Sequence, residues 1–181
     1  MFWRNAPRKK SSLRTRSSRF FLLLAAASVF CACLHATDKL KELQSNFDKE
    51  THAGRKVKEF QRLANAQFAA ATDAANSGNF VDVGFIFEKY RDNVRAAFEL
   101  LRKQEPDADK HSGSYRQLEL GVRQGMRQVE DMLLVAPEEV RPPLRIVHQD
   151  LLDMDDTLIN LLFPRRTPDP VKVPAPAEAK S

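Results

Sequence analysis

The sequence predicts an all-α protein, an antiparallel four-helix bundle carried behind an N-terminal targeting segment. Three observations predict it. After Thr37, apolar residues recur in steps of three and four, the spacing that places them on one face of a helix. No alternating run rich in Val, Ile and Thr stands between turn signals, as strands would require. Residues 1–36 join a basic leader to an apolar stretch, the grammar of an export signal.

The 181 residues suit one domain with extensions: a signal peptide or N-terminal anchor over 1–36, a helical domain over 37–163 and a Pro-rich tail over 164–181. Charge divides along the same line. Of the 29 Lys and Arg, seven (Arg4, Arg8, Lys9, Lys10, Arg14, Arg16 and Arg19) fall within residues 1–36, which leaves 22 against all 24 Asp and Glu. The net charge of +5 therefore belongs to the leader, and the rest of the chain is evenly mixed. It lacks the clustered positive footprint that neutralising phosphates demands, which argues against nucleic acid as a partner.

Within the leader, the apolar run begins at Phe20 and continues to Leu34, and Leu34-His35-Ala36 offers a cleavage site with small Ala36 at its end. Positive charge ahead of the run holds the N-terminus in the cytoplasm, so the chain beyond is translocated. Three fates stand open. Cleavage after Ala36 gives a soluble protein starting at Thr37. Retention gives an outward-facing anchor, although Phe20–Leu34 is 15 residues where about 20 cross a bilayer comfortably. The run Phe30-Cys31-Ala32-Cys33 resembles a bacterial lipobox, with Phe30 where that motif prefers Leu, and the resemblance implies lipidation at Cys33. Both cysteines lie in this segment, so a cleaved chain has no disulfide, thiol nucleophile or thiolate metal site. Membrane contact is expected only through residues 20–36, if uncleaved or lipidated.

Four helical segments are expected beyond Thr37. The first, about Asp38–Asn76, starts a stripe with Leu40, Leu43 and Phe47 and resumes it with Val57, Phe60, Ala64, Phe68 and Ala71. The polar stretch Lys49–Arg55 separates the halves, so this is either one long helix with a solvated middle turn or two helices meeting near Gly54. Gly78 is the expected left-handed residue that stops it. The second, about Phe80–Lys103, spaces Val83, Phe87, Tyr90, Val94, Ala97 and Leu101, widened by Ile86 and Phe98. Pro106 lies in the charged linker that follows.

The third, about Ser114–Val135, uses Tyr115, Leu118, Val122, Met126, Val129 and Met132 or Leu133. Gly121 and Gly125 lie four apart on one side of it, and a neighbouring backbone is expected to come close there. Arg116, Arg123 and Arg127 exclude a membrane span. The fourth places Val140, Leu144, Val147, Leu151, Met154, Leu158 and Leu161 in alternating steps, begins near Arg141 because proline is tolerated in a first turn, and ends by Phe163-Pro164. Five prolines from Pro164 to Pro176 then read as an extended, solvated tail.

No catalytic, cofactor or metal residue is assigned. Asp150, Asp153, Asp155 and Asp156, with His148 nearby, form the best metal candidate and read instead as solvated surface acids, since metal sites in bundles draw ligands from several facing helices. His52, His111 and His148 stand one to a segment and are expected at the wet surface. The chain beyond the leader has no GxSxG, P-loop, dinucleotide glycine pattern or haem-attachment motif. Phe47, Phe60, Phe68, Phe80, Phe87, Tyr90, Phe98 and Tyr115 read as core, while Phe85 falls off the stripe as an exposed contact or a filler at the turn.

The functional expectation is a non-catalytic envelope protein, periplasmic or secreted, acting by contact with a protein partner or with itself. The alternative is a periplasmic bundle binding a small molecule or metal. The leader carries the first prediction: mass spectrometry of the mature protein is expected to find Thr37 at the N-terminus, and an intact leader or an acylated Cys33 would refute cleavage.

Overall fold

A computed structural model describes residues 38–164 of the chain; residues 1–37 and 165–181, and with them the targeting segment, both cysteines and all but the first residue of the Pro-rich tail, lie outside the described residues. The protein is all-helical, with no strand among the described residues. Helix α1 covers residues 38–49. It is followed by α2 (Ala53–Asn76), α3 (Phe80–Gln104), α4 (Ser112–Val135), a 3-10 turn (Glu138–Val140) and α5 (Arg141–Leu162).

The first expected segment is thus two helices meeting near Gly54, the second of the two alternatives. The break falls at Glu50–His52, and Gly54 sits inside the first turn of α2. Side chains explain the position. The Glu50 carboxylate accepts hydrogen bonds from the N–H groups of Thr51 (2.9 Å) and His52 (2.8 Å), which holds its own carboxyl below the ordinary range. From α3, Gln104 donates to the Thr51 carbonyl (2.7 Å) and accepts from the Ala53 N–H (2.9 Å). These bonds satisfy backbone groups that a continuous helix would have paired internally. Within the polar stretch Lys49, Thr51, His52 and Arg55 are exposed as its composition suggests, while Ala53 and, just beyond it, Lys56 are buried.

Other boundaries follow local chemistry. Gly78 adopts φ +76°, the left-handed conformation expected of it, and the Asn79 N–H reaches back to the Ala74 carbonyl at 2.9 Å. Asn79 then caps α3 by accepting from the Asp82 N–H at 3.3 Å. Ala136 turns into an extended conformation ahead of Pro137, and α5 begins at Arg141 with prolines in its first turn.

Sequential helices pair along their lengths, α2 with α3 and α4 with α5, and the pairs meet through α2 on α4, α3 on α5 and α3 on α4. Val57, Phe60, Ala64, Phe68 and Ala71 of α2 are buried, as are Val83, Phe87, Tyr90, Val94, Ala97 and Leu101 of α3. From α4 come Tyr115, Leu118, Val122, Val129 and Met132, and from α5 Leu144, Val147, Leu151 and Leu158. Met126, Met154 and Leu161 end half-buried, at the margins of their stripes. Each fully buried large apolar side chain contributes roughly 1.5–3 kcal/mol of gross stabilisation, most of it offset by chain entropy.

An aromatic column runs through the core. Phe47 meets Phe60 at 6.4 Å between ring centres, Phe60 meets Tyr90 at 5.4 Å, Tyr90 meets Phe68 at 5.0 Å and Phe68 meets Phe87 at 6.3 Å, all tilted. This column corrects the expectation for Gly121 and Gly125. What comes close there is aromatic side chain, not backbone. A Cβ at Gly121 would stand 2.8 Å from Cε1 of Phe60, and one at Gly125 would overlap the Tyr90 ring and hydroxyl. The Tyr90 hydroxyl donates to the Gly121 carbonyl at 2.6 Å, and burial pushes its ionisation far above the ordinary phenol range.

Gly125→Ala is therefore expected to destabilise the protein by about 1–3 kcal/mol, the usual cost of overpacking, although alanine in a helix otherwise gains about 1 kcal/mol over glycine. Urea unfolding followed by circular dichroism checks it; an unchanged or raised midpoint would contradict the fit of Tyr90 against α4.

Candidate functional site

The sequence drew attention to the acids of α5, and the structure places two of them, Asp150 and Asp155, in seams with α3 and α4. Asp150 receives two arginines from α3, Arg91 at 3.2 Å and Arg95 at 3.6 Å. Asp155 faces α4, where Arg123 reaches it at 3.4 Å and also pairs with Glu119 one turn back. Asp153 accepts from Gln149 at 2.9 Å, and Asp156 is exposed. Asp155 departs from the expectation of a solvated acid, being only 8% exposed. Its position follows from spacing, because it lies four residues after Leu151 and three before Leu158, inside the buried stripe. Two of the four acids thus pair with arginines in different seams while Asp153 and Asp156 stay exposed, and no group of three or more metal-capable side chains forms among the described residues.

The histidines also divide, His148 lying on α5 and His52 and His111 at the starts of α2 and α4. His148 is half-buried, against the expectation of a wet histidine, and its Nε2 lies 2.9 Å from a Glu130 carboxylate oxygen on α4. His52 and His111 are exposed and precede the first turns of α2 and α4 respectively. Neither gives a side-chain cap to its helix.

The starts of these two helices lie beside one another. Between them runs an open groove of about 670 Å³ lined by His52, Gly54, Arg55, Lys58, Gly113, Ser114 and Gln117. The walls come close at Gly54, where a Cβ would stand in ordinary contact with Ser114 Oγ at 3.4 Å. Helix N-termini and two cations give this groove a positive field. Part of it is already answered from within the chain. Arg55 pairs with Glu50 at 3.1 Å, and Glu105, whose carboxylate lies 3.5 Å from His111 Nδ1, stands behind Gly54. Tyr115 donates to the Glu105 carbonyl at 2.9 Å, fixing the end of α3 against the start of α4.

Apolar surface is the other candidate. Phe85 is 63% exposed, which answers its place off the stripe, and Val81 lies one turn before it on α3. Leu134 (79% exposed) and Val135 end α4, and Ile146 is exposed early in α5. These five share the end where α3 begins, α4 stops and α5 starts. The opposite order of paired residues places them there: His148 with Glu130 and Asp155 with Arg123 across α4 and α5, Tyr90 with Gly121 and Glu105 with Tyr115 across α3 and α4.

Sequence reasoning missed the partners of the acids. Arg91, Arg95 and Arg123 look like ordinary surface cations, and only the four-residue spacing of Glu119 and Arg123 hints at a pair. It also missed buried Lys56, Gln67 and Asn93, whose polarity gives no sign of burial.

Arg123→Ala leaves Glu119 and Asp155, both largely buried, facing each other without their shared cation. It is expected to cost about 1–3 kcal/mol at neutral pH, the usual penalty for stranding a buried polar partner. Thermal and urea unfolding measure it, and an effect near zero would show that the pair is as dispensable as an exposed surface bridge.

No helix among the described residues is long and apolar enough to cross a membrane. No protein-family model matches the chain, nor does any curated protein or solved structure.

Proposed function

We propose that this chain is an exported helical-bundle protein that works outside the cytoplasmic membrane by protein–protein contact and carries no catalytic centre. Its helices form two antiparallel hairpins, α2 with α3 and α4 with α5, stacked into a four-helix arrangement. The inverted order of paired residues supports that reading: Gln104 meets Ala53, while Phe87 meets Phe68. The leader's basic and apolar parts support export, and hence a periplasmic or secreted location.

One observation carries the contact reading. Asp150 and Asp155 of α5 pair with arginines of α3 and α4, whereas Val81, Phe85, Leu134, Val135 and Ile146 remain as exposed apolar surface at one end, with Leu120, Leu152 and Phe163 exposed elsewhere. Single exposed apolar residues are ordinary, but five at one end of a small domain offer the anchors that interfaces use. The partner is another envelope protein or a second copy of this chain.

The second reading, binding of a small molecule or metal, is favoured by the groove that His52, Arg55, Lys58 and Ser114 line. Thermal melting against divalent ions and small carboxylates separates the two, because specific binding raises the melting temperature by linkage and pure contact function leaves the curves flat.

The contact reading predicts that the tagged full chain, cross-linked in envelope preparations, captures a reproducible partner or itself, and that Phe85→Glu or Leu134→Glu reduces capture at least several-fold with the fold intact by circular dichroism. Capture that is absent, or indifferent to both substitutions, would overturn it.

A further inference from the structure

Helix α1 is held differently from the helices that follow. Over Leu43–Lys49 a single side chain, Phe47, is fully buried; Leu43 is half-buried, and Asn46, Asp48 and Lys49 are exposed. Much of the remaining attachment is polar. Gln44 and Asn93 exchange two hydrogen bonds, each 3.1 Å. The Lys56 ammonium donates to the carbonyls of Phe47 (2.8 Å) and Glu50 (3.2 Å) and lies 4.3 Å from the centre of the Phe47 ring. Asn93 is 2% exposed and Lys56 8%. Within the described residues, the hydrogen bonds of these two buried side chains all go to residues 44–50.

Polar groups lose little when a protein partner is exchanged for water, because the net worth of such a bond is small. An oily cradle would resist opening, since bared apolar surface has no replacement partner. A helix as short as α1 is also unstable alone in water, so it is ordered only while docked. The turn behind it stays fixed. The Glu50 carboxylate and Gln104 together hold Thr51, His52 and Ala53 against α2 and α3, which places the pivot at Lys49–Glu50.

We infer that Leu43–Lys49 is a latch that opens on its own, pivoting at Glu50 and baring a cradle of Phe60, Asn93 and Lys56 while α2–α5 stay folded. Local opening of this kind belongs to segments with few buried apolar contacts, and of the three groups beneath, Asn93 and Lys56 are ones that water can pair, which leaves the Phe47–Phe60 contact as the apolar cost of opening. The latch does not depend on the contact surface proposed above, because none of Val81, Phe85, Leu134, Val135 or Ile146 takes part in it.

Hydrogen exchange read by mass spectrometry on the full chain tests the inference. Amides of Leu43–Glu50 are expected to exchange on the order of 10- to 100-fold faster than those of Val122–Val129, as a separately opening unit does. Phe47→Ala is expected to bring the segment to the unprotected rate with Val122–Val129 unchanged. Gln44→Ala, the milder variant, is expected to speed the segment a few-fold and nothing else. Equal rates for the two regions in the unaltered protein, or a Gln44→Ala variant that speeds both together, would show that the segment opens only with global unfolding and would overturn the latch.

Discussion

The position of Tyr90 is the constraint on which the rest of the molecule depends. Its ring is wedged between Phe60 and Phe68 of α2 on one side and the backbone of α4 on the other, at a depth only Gly125 permits. Its hydroxyl, buried and held protonated, donates to Gly121, so the contact is both steric and directional. Because α3 packs on α2, α4 and α5, one residue sets the spacing of three helices. An apolar ring of the same size would fill the space without specifying the rotation of α4. The hydrogen bond specifies it, since a buried hydroxyl left unpaired costs more than the bond is worth.

Around that centre, polar pairs set register along the seams. Gln61 meets Gln117 at 2.6 Å and Asn65 meets Gln124 at 3.4 Å across α2 and α4. Arg91 and Arg95 converge on Asp150 between α3 and α5, and Arg123 bridges Glu119 and Asp155 between α4 and α5. The more exposed of these contribute little to stability, because water competes for both partners. Their effect is on choice among alternatives. Hydrophobic stripes tolerate a slip of one turn, but a slip strands Asp155 or Asn93 away from a partner, and that penalty falls on wrong arrangements only.

The same pairing shapes the functional reading. Asp150 and Asp155, half of what looks like a ligand cluster along one helix, are drawn in different directions once α3 and α4 supply arginines, and His148 pairs with Glu130 away from the other two histidines. Two surface features then stand out, five exposed apolar side chains at one end and a partly positive groove between two helix starts near the other. Contact with a macromolecule and capture of an anion are the chemistries such surfaces serve, and the larger share of exposed apolar side chain favours the first.

The sequence by itself determined that the chain is helical, where most helices begin and end, and which side chains enter the core. A three- and four-residue rhythm, a left-handed Gly78, Asn79 as a cap and prolines at Arg141 act within a few residues of where they stand, so they can be read without knowing the neighbours. Asp155 is legible too, from its place between Leu151 and Leu158 rather than from its charge. Only the tertiary structure decided the rest. The break between α1 and α2 depends on Gln104, more than fifty positions away, and the two glycines of α4 depend on rings from α2 and α3. Lys56 and Asn93 are buried because α1 folds back over them and offers carbonyls and an amide. Local rules carry energies that a single segment already possesses, whereas these contacts gain theirs only when distant segments meet, and nothing in a residue's own surroundings announces its partner.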